Sequence, residues 1–224
     1  MNIGGNPIYE SCLVSQYKYA TKYDYPYYLI QEQRINAYNF YFEKLQAAQL
    51  LDHGYDQVLY IDGDVLVTPE APDIFASHGD PAAFYAHHES EDTEAMDRDR
   101  YVQPLLESVP DWPKQPNGKY QYFNAGIMLF GKECTQQLLT DLGAPPDNPA
   151  VWEFGDQTFM NYLAVKNKVN FQSLPREFNW MNRGEDDPDC ERYKAHFIHY
   201  AGPCLYGDGN KAEVMLRDYK ELYK

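Results

Sequence analysis

VLYIDGDVLV, the run from Val58 to Val67, places two carboxylates directly after a stretch of apolar residues. The β-branched and aromatic side chains of Val58–Ile61 predict a buried strand. Asp62 and Asp64 follow it and would repel each other there unless a cation lay between them, so they predict a metal site. Hard oxygen ligands suit Mn²⁺ first and Mg²⁺ second, and such ions bind the phosphates of a substrate. A nucleotide-sugar site is therefore the first hypothesis.

The Asp-x-Asp pattern occurs three times in the chain, and only its context distinguishes the copies. The copies at 97–99 and 187–189 lie in polar, charged stretches and are interpreted as solvated loops. The copy at 62–64 alone follows an apolar strand. Open α/β sheets bind their ligands just beyond the carboxyl ends of strands, so this copy is the candidate site.

Length and charge limit the class of protein. The 224 residues suffice for one sizeable domain, and we expect a single domain over residues 1–224. The net charge of −15 argues against nucleic acid and against an anionic membrane surface as partners. A chain this acidic would need a metal and a few well-placed cations to bind a diphosphate.

No segment is long and apolar enough to predict a membrane span, and no signal peptide is recognisable. A cytoplasmic location follows, although the catalytic domain of a longer, membrane-anchored protein would have the same sequence. The four cysteines show no metal-ligand spacing, so separate reduced thiols are expected. The sequence predicts no oligomeric state.

Periodicity and turn residues predict helices and strands in alternation, which indicates an α/β fold. The predicted helices cover residues 10–22, 35–51, 133–142, 157–166 and 212–223. The predicted strands cover residues 27–30, 58–61, 82–86, 123–130, 171–174 and 196–199. Nucleotide-binding sheets usually open with a strand that residues 1–9 barely provide, so we expect that strand to be absent or atypical.

The stretch 87–119 is polar, charged and rich in proline. Its length predicts either a lid over the site or a surface excursion that shapes the acceptor side. His87, His88 and Glu89 open this stretch. We interpret them as a solvated loop edge, with a second metal site as the alternative.

Four motifs follow one another in the chain: residues 42–75, which contain the acidic pair, then YFNAGIMLF (122–130), GDQTFMNYL (155–163) and HYAGP (199–203). Together they resemble the retaining glycosyltransferases with the GT-A fold. The resemblance is closest to family eight, the glycogenin and bacterial galactosyltransferase group, and extends to family thirty-four. It implies a single mixed, mostly parallel sheet flanked by helices. It also implies metal-dependent transfer of a hexose or pentose from a UDP-sugar donor to a carbohydrate or other hydroxyl acceptor.

The resemblance also implies roles for individual residues. Asp62, Asp64 and His199 would bind the metal, with Asp62 also at the donor. Asp156 and Gln157 would touch the sugar and the acceptor, with Gln157 either a nucleophile or a front-face stabiliser of the transition state. The other implied contacts to the donor are at Lys44 near the leaving oxygen, at Asn124, Ala125 and Gly126 against the sugar, and at Gly202 against phosphate.

The residues by themselves leave alternatives open. Lys44 also fits a helix-surface lysine, Asp156 a helix N-cap and His199 a satisfied core histidine. The family's phosphate-binding lysine corresponds to Leu205, and Lys211 and Arg176 are the candidates to substitute for it. Two other functions remain: a nucleotide-sugar hydrolase or pyrophosphatase with the same metal, and a non-catalytic carbohydrate- or nucleotide-binding protein.

Overall fold

A computed structural model describes residues 1–35, 40–89, 98–139, 155–181, 190–202 and 210–224. The strands in these ranges are β1 (Gln57–Ile61), β2 (Val65–Val67), β3 (Phe84–His88), β4 (Phe123–Gly131), β5 (Phe171–Ser173), β6 (Trp180–Met181) and β7 (Phe197–His199). The α-helices are α1 (Glu10–Lys22), α2 (Gln46–Gln49), α3 (Ile74–Ser77), α4 (Asp99–Val102), α5 (Lys132–Leu139), α6 (Gly155–Lys166) and α7 (Lys211–Leu222). Short 3₁₀ helices cover Pro7–Tyr9, Phe40–Leu45, Leu50–His53, Gln103–Leu105, Arg176–Phe178 and Glu191–Lys194. No helix among the described residues has the length and apolar character to cross a membrane.

The mixed α/β class is confirmed, with helices beside mixed sheets, but the strands form two sheets instead of one. One sheet has the order β1-β4-β3-β5, with β3 antiparallel to β4 and parallel to β5. The other has the order β2-β7-β6, with β2 antiparallel to β7 and β6 parallel to β7. Of these four pairings two are parallel and two are antiparallel, so the mixed pairing expected from the sequence is confirmed. The chain turns at the acidic pair, which separates β1 from β2 and lets β2 pair with β7.

Two compact units make up the chain. The first unit comprises Met1–Gln33, Ile61–Ser77 and Pro175–Lys224 and contains the three-stranded sheet. Its helix α1 has the predicted bounds, because Cys12, Ser15, Gln16 and Tyr19 recur on one buried face at helical spacing. The predicted strand at 27–30 does not form. No described strand pairs with this segment, whose one described backbone hydrogen bond joins Asn2 N to Ile30 O at 2.9 Å.

The second unit comprises Arg34–Tyr60 and His78–Leu174 and contains most of the four-stranded sheet. All nine residues of β4 are buried, as the apolar run predicts for a central strand. The helix predicted at 35–51 appears as short 3₁₀ and α segments from Phe40 to His53, and residues 36–39 lie outside the described ranges. The segment buries Glu43, which accepts hydrogen bonds from the backbone N of Arg34 (2.9 Å) and of Ile35 (3.0 Å).

The stretch 87–119 is more ordered than its composition indicates, although residues 90–97 lie outside the described ranges. It contains α4 and a 3₁₀ helix, and it contributes Tyr101, Val102, Leu105 and Trp112 to a buried cluster with Tyr122. The expectation of a plain surface excursion was wrong, because these apolar side chains are spaced too irregularly for a periodic pattern yet pack together.

Candidate functional site

The acidic turn in the first unit is held by helix α1. Val65 N donates a hydrogen bond to the carbonyl of Asp62 at 3.2 Å, which closes the turn. Gln16 Nε2 donates to the carbonyls of Asp62 (2.8 Å) and Val65 (2.9 Å). Gly63 is required between the two aspartates, since a Cβ there would lie 2.4 Å from the carbonyl oxygen of Met1. The carboxylates therefore project from a fixed backbone.

The pairing of β2 with β7 brings His199 to this turn. Val65 lies opposite His199 in the antiparallel register. His199 Nε2 is 3.5 Å from Asp64 Oδ1, and one ligand atom each from Asp62, Asp64 and His199 lie within 4.8 Å of one another. The structure thus brings together the three residues expected as metal ligands. Within the described ranges no second group has this spacing, His87, His88 and Glu89 included.

Asn179, which the sequence did not indicate, orients the histidine. It is fully buried, and its Oδ1 lies 2.9 Å from His199 Nδ1. Because a carboxamide oxygen only accepts, Nδ1 carries a hydrogen, and Nε2 is the nitrogen that faces Asp64 and could bind a metal. No local motif marks Asn179, since its partner is fixed only by the parallel pairing of β6 with β7.

The donor set fits a divalent cation. Two carboxylates and one imidazole nitrogen suit Mn²⁺, whereas Mg²⁺ prefers oxygen ligands alone. Burial raises the pKa of Asp64, but the hydrogen bond and charge of His199, followed by the charge of Lys211, outweigh it. The pKa of Asp64 therefore lies below its ordinary value. Lys211 Nζ lies 2.6 Å from Asp64 Oδ2.

Only some of the residues expected to contact the phosphates of the donor are described by the structure. Gly202 has a φ of +65°, in the left-handed region that favours glycine, and no atom of the described residues beyond its immediate chain neighbours lies within 4 Å of the position a Cβ would take. Leu205 lies outside the described residues. Arg176 stacks on Trp180, with 4.2 Å between the guanidinium carbon and the ring centroid.

Lys44, in the second unit, is buried with 4% exposure, so the alternative of a helix-surface lysine is wrong. Its Nζ lies 2.6 Å from Asp156 Oδ2 and donates to the carbonyl of Ala125 at 3.1 Å. The ring of Tyr60 lies 5.6 Å from the same nitrogen. Asp156 is not an N-cap either, since α6 begins one residue earlier, at Gly155. These contacts join three separate chain segments at one ammonium group.

Gln157 and Asn124 form the neighbouring polar network. Gln157 Oε1 accepts hydrogen bonds from Asn124 Nδ2 and from Ala125 N, both at 3.1 Å. Gly126 N donates to Asn124 Oδ1 at 2.9 Å. Glu89, 1% exposed, accepts from Asn124 Nδ2 at 2.7 Å. The side chain of Asn124 and the backbone of Ala125 and Gly126 are thus held by side-chain contacts as well as by the sheet.

The interpretation of His87, His88 and Glu89 as a solvated loop edge was wrong. Both histidines belong to β3 and all three side chains are buried. His87 Nδ1 lies 2.9 Å from the carbonyl of Leu174, and Glu89 pairs with Arg98. Burial lowers the pKa of His88 to about 4. No local pattern predicted this burial, because charged residues follow the strand immediately.

Comparison with known proteins identifies one family. The model of the family described as glycosyl transferase family 8 matches residues 8–204. No curated protein matches the sequence.

Several solved structures resemble the fold. A glycosyltransferase involved in the glycosylation of the major capsid of PBCV-1 has 14% identity and a TM-score of 0.58, with 95% of this chain and 92% of that chain covered. The glycosyltransferase GlyE of Streptococcus pneumoniae TIGR4 has 18% identity and a TM-score of 0.50, with 81% and 43% covered. The galactosyltransferase LgtC, solved with donor and acceptor sugar analogues, has 22% identity and a TM-score of 0.45, with 80% and 67% covered. The GT-A type of fold expected from the sequence is confirmed.

Proposed function

The chain belongs to glycosyl transferase family 8 and is a glycosyltransferase, and from this premise we propose the reaction that it performs. It transfers a hexose or pentose from a UDP-sugar to a hydroxyl of a carbohydrate or other acceptor, with retention of configuration and with a divalent metal, Mn²⁺ before Mg²⁺. Retention, the nucleotide, the metal and the acceptor class are the proposed parts.

One observation carries the proposal: the convergence of Asp62, Asp64 and His199, with the imidazole oriented by Asn179. A bound divalent cation would neutralise charge on the diphosphate as UDP leaves. The chain's own contribution is to hold the three ligand groups in place before the donor arrives. Gln16 fixes the backbone of the acidic turn, and Asn179 fixes the tautomer of His199. We propose that Asp62 also contacts the donor.

For Gln157, the hydrogen bonds favour a positioning role over a nucleophilic one. The backbone N of Ala125 is a donor, so the Gln157 atom facing it must be the oxygen. That oxygen also accepts from Asn124 Nδ2, and both of its lone pairs are then engaged. An oxygen with both lone pairs engaged is a poor nucleophile. We propose that Gln157 stabilises the front face of the sugar as positive charge develops in the transition state.

The remaining residues would position the donor. We propose that Lys44 contacts the donor near its leaving oxygen and that Asp156, its partner, contacts the sugar. Asn124, Ala125 and Gly126 would lie against the sugar ring, and Gly202 would let backbone N–H approach phosphate. The buried contacts of Lys44 support this proposal, because a lysine held at two oxygens is already oriented.

The test is release of UDP from a panel of UDP-sugars, with Mn²⁺ and with a chelator. We expect slow release without acceptor, lost with chelator and reduced at least about a thousandfold in Asp62→Ala and Asp64→Ala. Asp52→Ala, at an exposed aspartate of the second unit, is the matched control and should keep full activity. Unchanged release in both site variants would contradict the proposal.

The products separate the proposal from its alternatives. Transfer yields UDP and a new glycoside, whose anomeric configuration, measured by NMR, tests retention. A hydrolase or pyrophosphatase that cleaves the phosphate bond would yield sugar phosphate instead. Binding of a UDP-sugar without any turnover would point to a non-catalytic protein.

We also propose a cytoplasmic location. Cys12 and Cys134 are buried free thiols, which suits a reducing compartment. Fractionation of cells that express the tagged full-length chain tests this, and recovery in a membrane or secreted fraction would contradict it.

A further inference from the structure

Lys211 contacts Asp64, one of the proposed metal ligands. Its Nζ lies 2.6 Å from Asp64 Oδ2, and the two side chains are 23% and 17% exposed. The ring of Tyr9 lies 5.9 Å from the same nitrogen. Asp64 Oδ1 faces His199 Nε2 at 3.5 Å. Both oxygens of one proposed ligand therefore already face groups of the protein.

The position of Lys211 in its helix explains why the ion pair with Asp64 forms. Lys211 is the first residue of α7, whose start is fixed by a capping box between Asn210 and Glu213. The N-terminus of a helix carries partial positive charge, so a lysine there is unfavourable unless an anion compensates it. Asp64 supplies that anion. The ion pair and the cap together place an ammonium group at the acidic turn.

A divalent cation bound to Asp64 would remove the reason for this ion pair. Lysine and a dication are both positive, so they compete for the same carboxylate oxygen. The ammonium sits on a flexible four-carbon stem, and Lys211 is partly exposed, so it can turn to another anion. The chain has a net charge of −15, so few of its cations are available to bind the diphosphate of a donor. Lys211 is one that could do so.

We propose that Lys211 is an exchangeable counter-ion: it holds Asp64 while no dication does, and it binds the diphosphate of the donor once that carboxylate is taken. This rests on the proposed function. It assigns to Lys211 the phosphate contact that Leu205, which carries no charge, cannot make. It also makes a second claim, that the same lysine weakens metal binding when no nucleotide is present.

The two claims predict effects of opposite sign in one variant. In Lys211→Met, calorimetry without nucleotide should show Mn²⁺ binding about tenfold more tightly, the scale on which groups beside a ligand change metal affinity. With saturating Mn²⁺, UDP should bind that variant about tenfold more weakly, through loss of one charge-assisted hydrogen bond. Lys211→Arg keeps the charge and should resemble the wild type in both titrations. Lys220→Met, an exposed lysine of the same helix, is the matched control.

The outcomes separate this inference from the proposed function. Wild-type protein that binds no Mn²⁺ would contradict both. A wild type that binds Mn²⁺ and UDP, with Lys211→Met unchanged in either titration, would overturn the role of Lys211 alone. A decrease of Mn²⁺ affinity in Lys211→Met would also overturn it, because a competitor's removal cannot weaken binding. Thermal unfolding confirms that each variant folds, and Lys211→Gln serves as a second uncharged variant.

Discussion

Each unit of the chain contains a lysine–aspartate pair with the same nitrogen–oxygen distance, 2.6 Å, in different surroundings. Lys44 and Asp156, in the second unit, are 5% and 13% exposed, and the lysine also donates to a backbone carbonyl. Lys211 and Asp64, in the first unit, are 23% and 17% exposed. Contact distance therefore does not define the role of such a pair. Burial and additional partners make Lys44 a fixed part of its unit, whereas Lys211 can exchange partners.

The largest effect is expected at the most deeply buried ion pair. Arg192 Nε donates to Asp218 Oδ2 at 2.8 Å, and the two side chains are 3% and 0% exposed. Asp218→Asn leaves the guanidinium buried without its counter-charge and should lower the unfolding free energy by about 3–5 kcal/mol. Urea unfolding at pH 7 measures this. Glu221→Gln, in an exposed pair with Lys224, is the control and should change it by less than about 0.5 kcal/mol.

The same pair predicts a pH dependence. Burial raises the pKa of Asp218, but hydrogen bonds from Arg192 and Tyr193 and the charge of Arg192 outweigh it, so the pKa is lowered. A lowered folded-state pKa gives stability that is present above the unfolded pKa of about 4 and is lost as the pH falls below it. The deficit of Asp218→Asn should therefore be constant between pH 7 and about 5 and shrink below about 4. A deficit that grows in acid would contradict this.

A smaller effect is expected at Lys44. Lys44→Met leaves Asp156 largely buried without its counter-ion, and we expect a loss of about 2–3 kcal/mol, less than at Asp218 because Asp156 is partly exposed. The double variant Lys44→Met/Asp156→Asn should recover part of this loss, since no unpaired charge remains. Urea unfolding of the wild type, Lys44→Met, Asp156→Asn and the double variant measures the coupling energy between the two residues. A loss no greater than that of Lys211→Met would break the comparison between the two pairs.

The smallest effect of the three concerns the metal and not stability. Asn179→Leu removes the acceptor of His199 Nδ1 and should weaken Mn²⁺ binding by about 10- to 100-fold, or about 1.4–2.7 kcal/mol. Asn179→Asp keeps an acceptor and should bind Mn²⁺ nearly as the wild type does. Gln157→Leu, in the polar network of the second unit, should leave Mn²⁺ binding without nucleotide unchanged. Equal losses in Asn179→Leu and Gln157→Leu would show that the two networks are not distinct.

Local sequence patterns predicted the elements whose burial is regular. Helix α1 has its predicted bounds, because its buried residues lie on one face at helical spacing. Strand β4 extends one residue beyond the predicted strand, and all nine of its residues are buried. The segment from Phe40 to His53 was predicted less well, since its burial includes Glu43 and Lys44 and no periodic pattern contains that information. Strand β6 has only two residues and offered no signal of its own.

The residues of the candidate site also differ in how well the sequence predicted them. Asp62 and Asp64 follow from sequence alone, because two carboxylates directly after an apolar strand require compensation. The predicted burial of that strand is only partly correct, since Tyr60 is the one buried residue of β1. His199 was proposed only through resemblance to a family, and Asn179 and the contacts of Gln16 were not predicted at all. They depend on which strand pairs with which, and on a register between segments distant in the chain.

Local sequence patterns were enough to predict the acidic turn, helix α1, the buried run of β4 and the family. Which charges meet depends on the tertiary structure. It placed Lys211 on Asp64 and Lys44 on Asp156, and it buried one lysine more deeply than the other. The physical reason is that hydrophobic periodicity is a local property of the chain, whereas electrostatic pairing depends on long-range packing, which sets both the partner and the dielectric around it.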